Sequence, residues 1–111
     1  MPATAKYLLK LYIAGHSTRS ERAIVNVKHI CEMHLNDGYQ LIIVDVLEQP
    51  QLAKAEQILA TPTLIRALPP PGRRVVGDLS DTERVLAGLE LPSKLEAAGK
   101  IAPDRGPELG G

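Results

Sequence analysis

Ala60-Thr61-Pro62-Thr63-Leu64 is the stretch whose reading decides the fold. It stands where a short helix over residues 50–59 gives way to a strand over residues 62–68. Pro50 suits the first turn of that helix, where a missing amide hydrogen is no loss. Downstream, residues 73–77 read as a second strand, joined to the first through Pro69-Pro70-Pro71-Gly72. The three prolines read as a rigid turn, and X-Pro bonds there can hold slow isomers. Upstream, residues 7–14 read as a mostly buried first strand rich in Leu, Ile and Tyr. Residues 18–35 read as a helix. Thr18 and Glu21 have capping-box spacing, and Ala23, Val27, Ile30, Cys31 and His34 or Leu35 recur at helical intervals. Asn36-Asp37-Gly38 ends it by turn chemistry. Residues 39–47 form a strand whose run Leu41-Ile42-Ile43-Val44 suits the centre of a parallel sheet. Strand, helix, strand implies a right-handed crossover. Ser80 opens a last helix, with Glu83 completing a second capping box.

The order is βαβαββα, the α/β order of thioredoxin. The Thr61-Pro62-Thr63-Leu64 run resembles the one that presents a cis-proline in thioredoxin-like folds. Ala14-Gly15-His16-Ser17-Thr18 begins 46 residues earlier, where such a fold carries its Cys-x-x-Cys pair, and it holds no cysteine. The chain thus resembles that scaffold without its redox chemistry, which points to recognition. Residues 1–91 form the domain. Residues 94–101 read as a short amphipathic helix, and residues 103–111 as a disordered tail.

Composition narrows the function. At 111 residues the chain is one small domain with a marginal core. Thirteen Lys and Arg balance thirteen Asp and Glu, which speaks against wholesale nucleic-acid binding. Three tyrosines, with no Phe or Trp, supply little surface on which bases could stack. No apolar run approaches the roughly 20 residues of a membrane span. One cysteine and no signal-peptide pattern agree with a soluble, cytoplasmic protein.

Each chemical candidate has a plain structural counterpart. Cys31 has no partner cysteine nearby in sequence and reads as a buried core residue rather than a peroxidatic thiol. Only Cys31 and His34 share a helix face, His29 pointing elsewhere, and two ligands do not make a zinc site. Gly15 and Gly72 belong to no phosphate-binding loop, and His16 beside Ser17 is not a triad. No pattern implies a metal or cofactor. Asp45 reads as a turn or helix-entry residue. Lys10, Arg22, Arg66, Arg73 and Arg74 read singly as solvated charges; clustered, they would dock an acidic partner surface. The segment 84–91 satisfies two patterns. Val85, Leu86 and Leu89 suit a helix, whereas Val85, Ala87, Leu89 and Leu91 suit one face of a strand. Gly88 inside a helix costs about 1 kcal/mol relative to Ala. Such a conflict is what a chain with two folds would show.

Several blocks together carry a more specific resemblance. They are Tyr7-Leu8-Leu9-Lys10-Leu11-Tyr12-Ile13-Ala14-Gly15, Val44-Asp45-Val46-Leu47, Pro50-Gln51-Leu52-Ala53 and Ile58-Leu59-Ala60-Thr61-Pro62-Thr63-Leu64. Leu68-Pro69-Pro70-Pro71, Arg73-Arg74, Gly77-Asp78-Leu79-Ser80 and Gly88-Leu89-Glu90-Leu91 continue the match. Over residues 6–91 the chain resembles the KaiB family of circadian clock proteins. The resemblance implies a non-enzymatic regulator that binds the N-terminal ring of the hexameric ATPase KaiC and promotes its dephosphorylation. It also implies two folds: an oligomeric ground state, tetramer or dimer, and a thioredoxin-like monomer with a rearranged second half that binds KaiC. By position it implies Lys10, Arg22, Gln57, Arg66, Arg73 and Arg74 as KaiC contacts. Tyr7, Pro62, Pro69, Pro70, Pro71, Gly88 and Glu90 would tune the fold balance. On this reading Gly88→Ala favours the helical state by up to about 1 kcal/mol. The histidine kinase SasA, with a sensor domain of this fold, would compete for KaiC. The chain departs from the family at Gln57, often Lys, and at Glu90, often Asp. Gln40-Leu41-Ile42 replaces a stretch linked to the third clock protein, KaiA, which speaks against KaiA as a partner. The tail also differs, as in a member working with KaiC alone.

Overall fold

The central strand is β1 (Tyr7–Ile13), and the chain builds outward from it on both sides. The computed structural model describes residues 6–36 and 38–93; the helix expected over 94–101 and the tail beyond it lie outside them. β1 is followed by α1 (Thr18–His34), β2 (Tyr39–Asp45), α2 (Pro50–Ala55), β3 (Thr63–Leu68), β4 (Arg73–Val76) and α3 (Thr82–Gly88). The expected βαβαββα order holds. The sheet runs β2-β1-β3-β4, with β2 parallel to β1 and the β3–β4 hairpin antiparallel beside it. β2 is therefore an edge strand and not a central one. Ile42 and Ile43 are 37% and 39% exposed, because among the described residues β1 is their only strand neighbour.

Alternation along β1 divides the interior. Leu9, Leu11 and Ile13 face α1 and α3 and meet Ala23, Val27, Ile30 and Cys31 of α1 with Val85, Leu86 and Leu89 of the α3 region. Tyr12 faces the other way, with Val44 and Ile65, in a small cluster bordered by Val46 and Ile58. The α1–α3 side holds most of the core.

Helix boundaries follow local hydrogen bonds. Ser17, one residue before the expected Thr18, caps α1 by accepting from the Ser20 amide at 3.1 Å. Asp81, not Ser80, caps α3, because it is Asp81 Oδ1 that accepts from the Arg84 amide at 3.1 Å. β2 stops at Asp45, whose Oδ1 accepts from the amides of Gly15 and Leu47, both at 3.0 Å. The first of these bonds ties the Gly15–Thr18 loop to the end of β2. Val85, Leu86, Leu89 and Leu91 are buried and Ala87 is exposed, so the helical reading of 84–91 describes this fold.

α2 and α3 end alike. After α2 the amide of Ile58 donates to Ala53 O at 2.9 Å and that of Gln57 to Lys54 O at 3.1 Å. After α3 the amide of Leu91 donates to Leu86 O at 2.8 Å and that of Glu90 to Ala87 O at 3.1 Å. Both are Schellman caps, which favour glycine at the left-handed position. Here Gln57 (φ 56°) and Glu90 (φ 55°) occupy it. Buried Leu79 (φ 65°) is a third side chain in the left-handed region. Each costs about 1–2 kcal/mol relative to the right-handed form. All three follow β2 in the chain.

Candidate protein-binding surface

Cis peptide bonds precede Pro62, Pro69 and Pro71. Pro62 is buried at the entry of β3, and its carbonyl accepts from the Gly77 amide at 2.9 Å. The Tyr12–Thr63 register brings it to the same end of the sheet as the Gly15–Thr18 loop. The positions of a thioredoxin-type site are thus present without thiols. Cys31 is fully buried in α1, and burial, with Glu32 nearby, pushes its thiol up to about 12. At neutral pH it is a thiol, not the thiolate that does chemistry. Among the described residues no group of three His, Cys, Asp or Glu side chains is placed to hold a metal ion. Likewise, no described helix is long and apolar enough to cross a membrane.

The six positions expected to meet a partner fall in three places. Lys10, Gln57 and Arg74 gather on the α2 side around Glu56. Lys10 Nζ and Arg74 Nη2 each lie 3.9 Å from a Glu56 carboxylate oxygen. Arg74 also donates to the Glu56 carbonyl at 3.0 Å and to the Gln57 carbonyl at 3.3 Å, so it closes the end of α2. Tyr12 lies under this group. Burial, then the Glu56 charge, raises its phenol, with Arg74 acting in the opposite sense. Leu59 beside them is 96% exposed, and Val76 of β4 is also open. The result is a mixed apolar and charged surface spread over α2, its following loop and the sheet face.

Arg66 and Arg73 project to the α3 side. Arg66 is only 4% exposed and does not share the open surface. Its Nε donates to the Leu89 carbonyl at 2.5 Å and its Nη1 to the Pro69 carbonyl, closing the end of α3 against the β3–β4 turn. Glu90 joins them, 3.3 Å from Arg73 and 3.9 Å from Arg66. Arg22 stands apart, on α1.

The remaining singled-out residues are dispersed. Tyr7 is buried at the start of β1, opposite Tyr39. Pro69, Pro70 and Pro71 are exposed in the hairpin turn. Gly88 is the last residue of α3, and a Cβ built on it would stand 2.6 Å from Val75 Cγ2. Propensity alone omits this contact, which sets a steric cost against the gain expected from Gly88→Ala. Sequence reading missed Glu56, the hub of the α2-side cluster; no local pattern marks it, since Lys10 and Arg74 reach it only through the folded sheet. It also missed Arg19, whose i, i+3 spacing to Arg22 on one helix face was a usable signal.

A family model of the KaiB domain matches residues 10–91. The circadian clock protein KaiB3 of Synechocystis sp. is 54% identical over 86 residues, 78% of this chain and 84% of that protein. The circadian clock oscillator protein KaiB of Prochlorococcus marinus is 54% identical over 91 residues, 82% and 84% of the two chains. Among solved structures, the N-terminal domain of Synechococcus elongatus SasA superposes with a TM-score of 0.61 at 21% identity, over 75% of this chain and 85% of that one. Mitochondrial thioredoxin 3 from Saccharomyces cerevisiae gives 0.62 at 15% identity, over 78% of each chain. At such identities the two structures speak for a thioredoxin-like fold alone.

Proposed function

The chain belongs to the KaiB family of circadian clock proteins, and from that premise we propose that it is a non-enzymatic timing regulator that docks on a KaiC-type ATPase ring. The observation that carries this reading is the Lys10–Gln57–Arg74 cluster, three of the positions that the resemblance implies as KaiC contacts, beside exposed Leu59. Docking promotes dephosphorylation of the ATPase. A SasA-like histidine kinase competes for the same ring, and the Gln40-Leu41-Ile42 departure speaks against KaiA as a partner. Burial of Cys31 favours this reading over a single-cysteine thiol enzyme.

The thioredoxin-like fold is the docking form. It exchanges with an oligomeric ground state in which residues after β2 rearrange and the 85–91 segment becomes a strand. Three side chains in the left-handed region after β2, with a glycine as the last residue of α3, support this reading. Because only the docking form binds, complex formation is slow. The test is gel filtration of the full chain with its cognate KaiC-type ATPase and ATP, sampled over hours. A complex that grows slowly, and that Lys10→Glu weakens, is the expected result. No complex with the wild-type chain overturns the docking. One set of amide resonances at all concentrations, with no slow exchange, overturns the second fold and leaves a static sensor-like module.

A further inference from the structure

A second charged feature lies away from the α2-side surface. The start of α1 and the β4–α3 connection border an open cleft of about 580 Å³. Arg19 and Arg22 enter it from one face of α1, and Arg84 from the first turns of α3. The walls are tied together where Asn26 Nδ2 donates to the Asp78 carbonyl at 3.0 Å. Arg84 lies beside Gly77, where a built Cβ would stand 3.5 Å from its Nη1.

The cleft also contains two acids, Asp78 and Asp81, each bonded to a nearby backbone amide. Asp78 Oδ1 accepts from the Ser80 amide at 3.0 Å, and Asp81 Oδ1 from the Arg84 amide at 3.1 Å. Hydrogen bonds from Ser80 are the main reason the Asp78 carboxyl is held below its usual range; Arg19 and Arg22 act on it only as nearby charges. Among the described residues, none of the three guanidinium groups has a carboxylate within ion-pair distance. Three guanidinium groups and two ionised carboxylates therefore line one concave site, where positive charge is in excess.

Guanidinium groups donate in planar forks that match oxyanions. A carboxylate offers two oxygens, whereas a phosphoryl group offers three terminal oxygens and up to two charges. We propose that the cleft lined by Arg19, Arg22 and Arg84 is an oxyanion site that takes a phosphoryl group. The group comes from a free phosphate or nucleotide, or from a phosphorylated side chain; the chemistry recognised is the same.

The test follows arginine Nε–Hε resonances of the full chain during titration with inorganic phosphate, against sodium chloride at matched ionic strength. Saturable shifts of Arg19, Arg22 and Arg84 in the millimolar range are expected. Arg19→Gln and Arg84→Gln should each weaken the binding by about tenfold, the loss of one charge-assisted contact. Lys54→Gln, on α2, should leave it unchanged. Parallel titrations with phosphoserine and with adenosine diphosphate identify the source by which binds tighter. Shifts that chloride reproduces, shifts that acetate matches, or shifts that survive the arginine variants overturn the proposal, leaving a diffuse charged surface. No ATPase is present in this experiment, so its outcome is separate from that of the docking test.

Discussion

Replacing Gly88 by Ala sets two terms against each other, and the structure supplies the second. Ala gains up to about 1 kcal/mol over Gly within a helix. The new Cβ, however, would stand 2.6 Å from Val75 Cγ2, far inside contact distance. Val75 is buried, and its β-branch leaves few rotamers to escape into. Overpacking of this kind costs about 1–3 kcal/mol. The net expectation for Gly88→Ala in this fold is therefore a loss of about 1 kcal/mol. Val75→Ala deletes the offending methyl and costs about 2 kcal/mol in lost burial and cavity. In that background the second substitution meets open space and should recover up to about 1 kcal/mol. The double-mutant cycle should thus show a favourable coupling of about 2 kcal/mol. The assay is urea unfolding of the four full-length proteins by far-ultraviolet circular dichroism. The coupling corresponds to a difference of about 1 M in midpoint shift. An effect of Gly88→Ala with the same sign and size in both backgrounds would refute the reasoning, since Val75 would then not bear on position 88.

Three other outcomes are expected. Glu90→Gly relieves the left-handed cap at a gain of about 1–2 kcal/mol, reduced by the ion pair with Arg73, whose worth at a half-exposed site is about 0–1 kcal/mol; a lower urea midpoint would contradict this. The Gly15 amide, then the Leu47 amide, hold the Asp45 carboxyl below its usual value. The stability this gives is present above the unfolded value near 3.9 and is lost as pH falls through the folded value. Asp45→Asn should therefore flatten the acid limb of the urea midpoint plotted between about pH 5 and 2. Cys31, pushed up to about 12, should resist iodoacetamide at neutral pH in the folded chain and react fully in denaturant. Its neutral form favours the fold up to the unfolded value near 8.5, and that contribution fades as pH climbs towards the folded value.

Much of the architecture was legible because it rests on local signals. Periodicity marked β1 and α1, the prolines marked the hairpin, and Val85, Leu86 and Leu89 announced the buried face of α3. The errors arose where partners decide. The run Leu41-Ile42-Ile43-Val44 is as apolar as a central strand, yet only the topology leaves its outer edge unpaired. Ser80 has the look of a helix cap, but the helix starts one residue later, where Asp81 accepts from the Arg84 amide. For the candidate surface, sequence supplied Lys10, Gln57 and Arg74 but not Glu56 between them. It grouped Arg66 with the exposed arginines, because nothing local reveals that a guanidinium is folded in beneath Leu89 and Pro69.

The hairpin arginines give this small sheet a mechanical property. Arg74 holds the end of α2 and Arg66 the end of α3, and they stand on adjacent strands facing opposite ways. Between them, β4 places Arg73 towards α3, Arg74 towards α2 and Val75 against Gly88. The β3–β4 hairpin thus works as a crossbar on which both short helices hang. Slackening of the hairpin is therefore felt at the end of α2 and at the end of α3 alike. Amide exchange should then release α2, the hairpin and α3 together, while β1 and α1 stay protected.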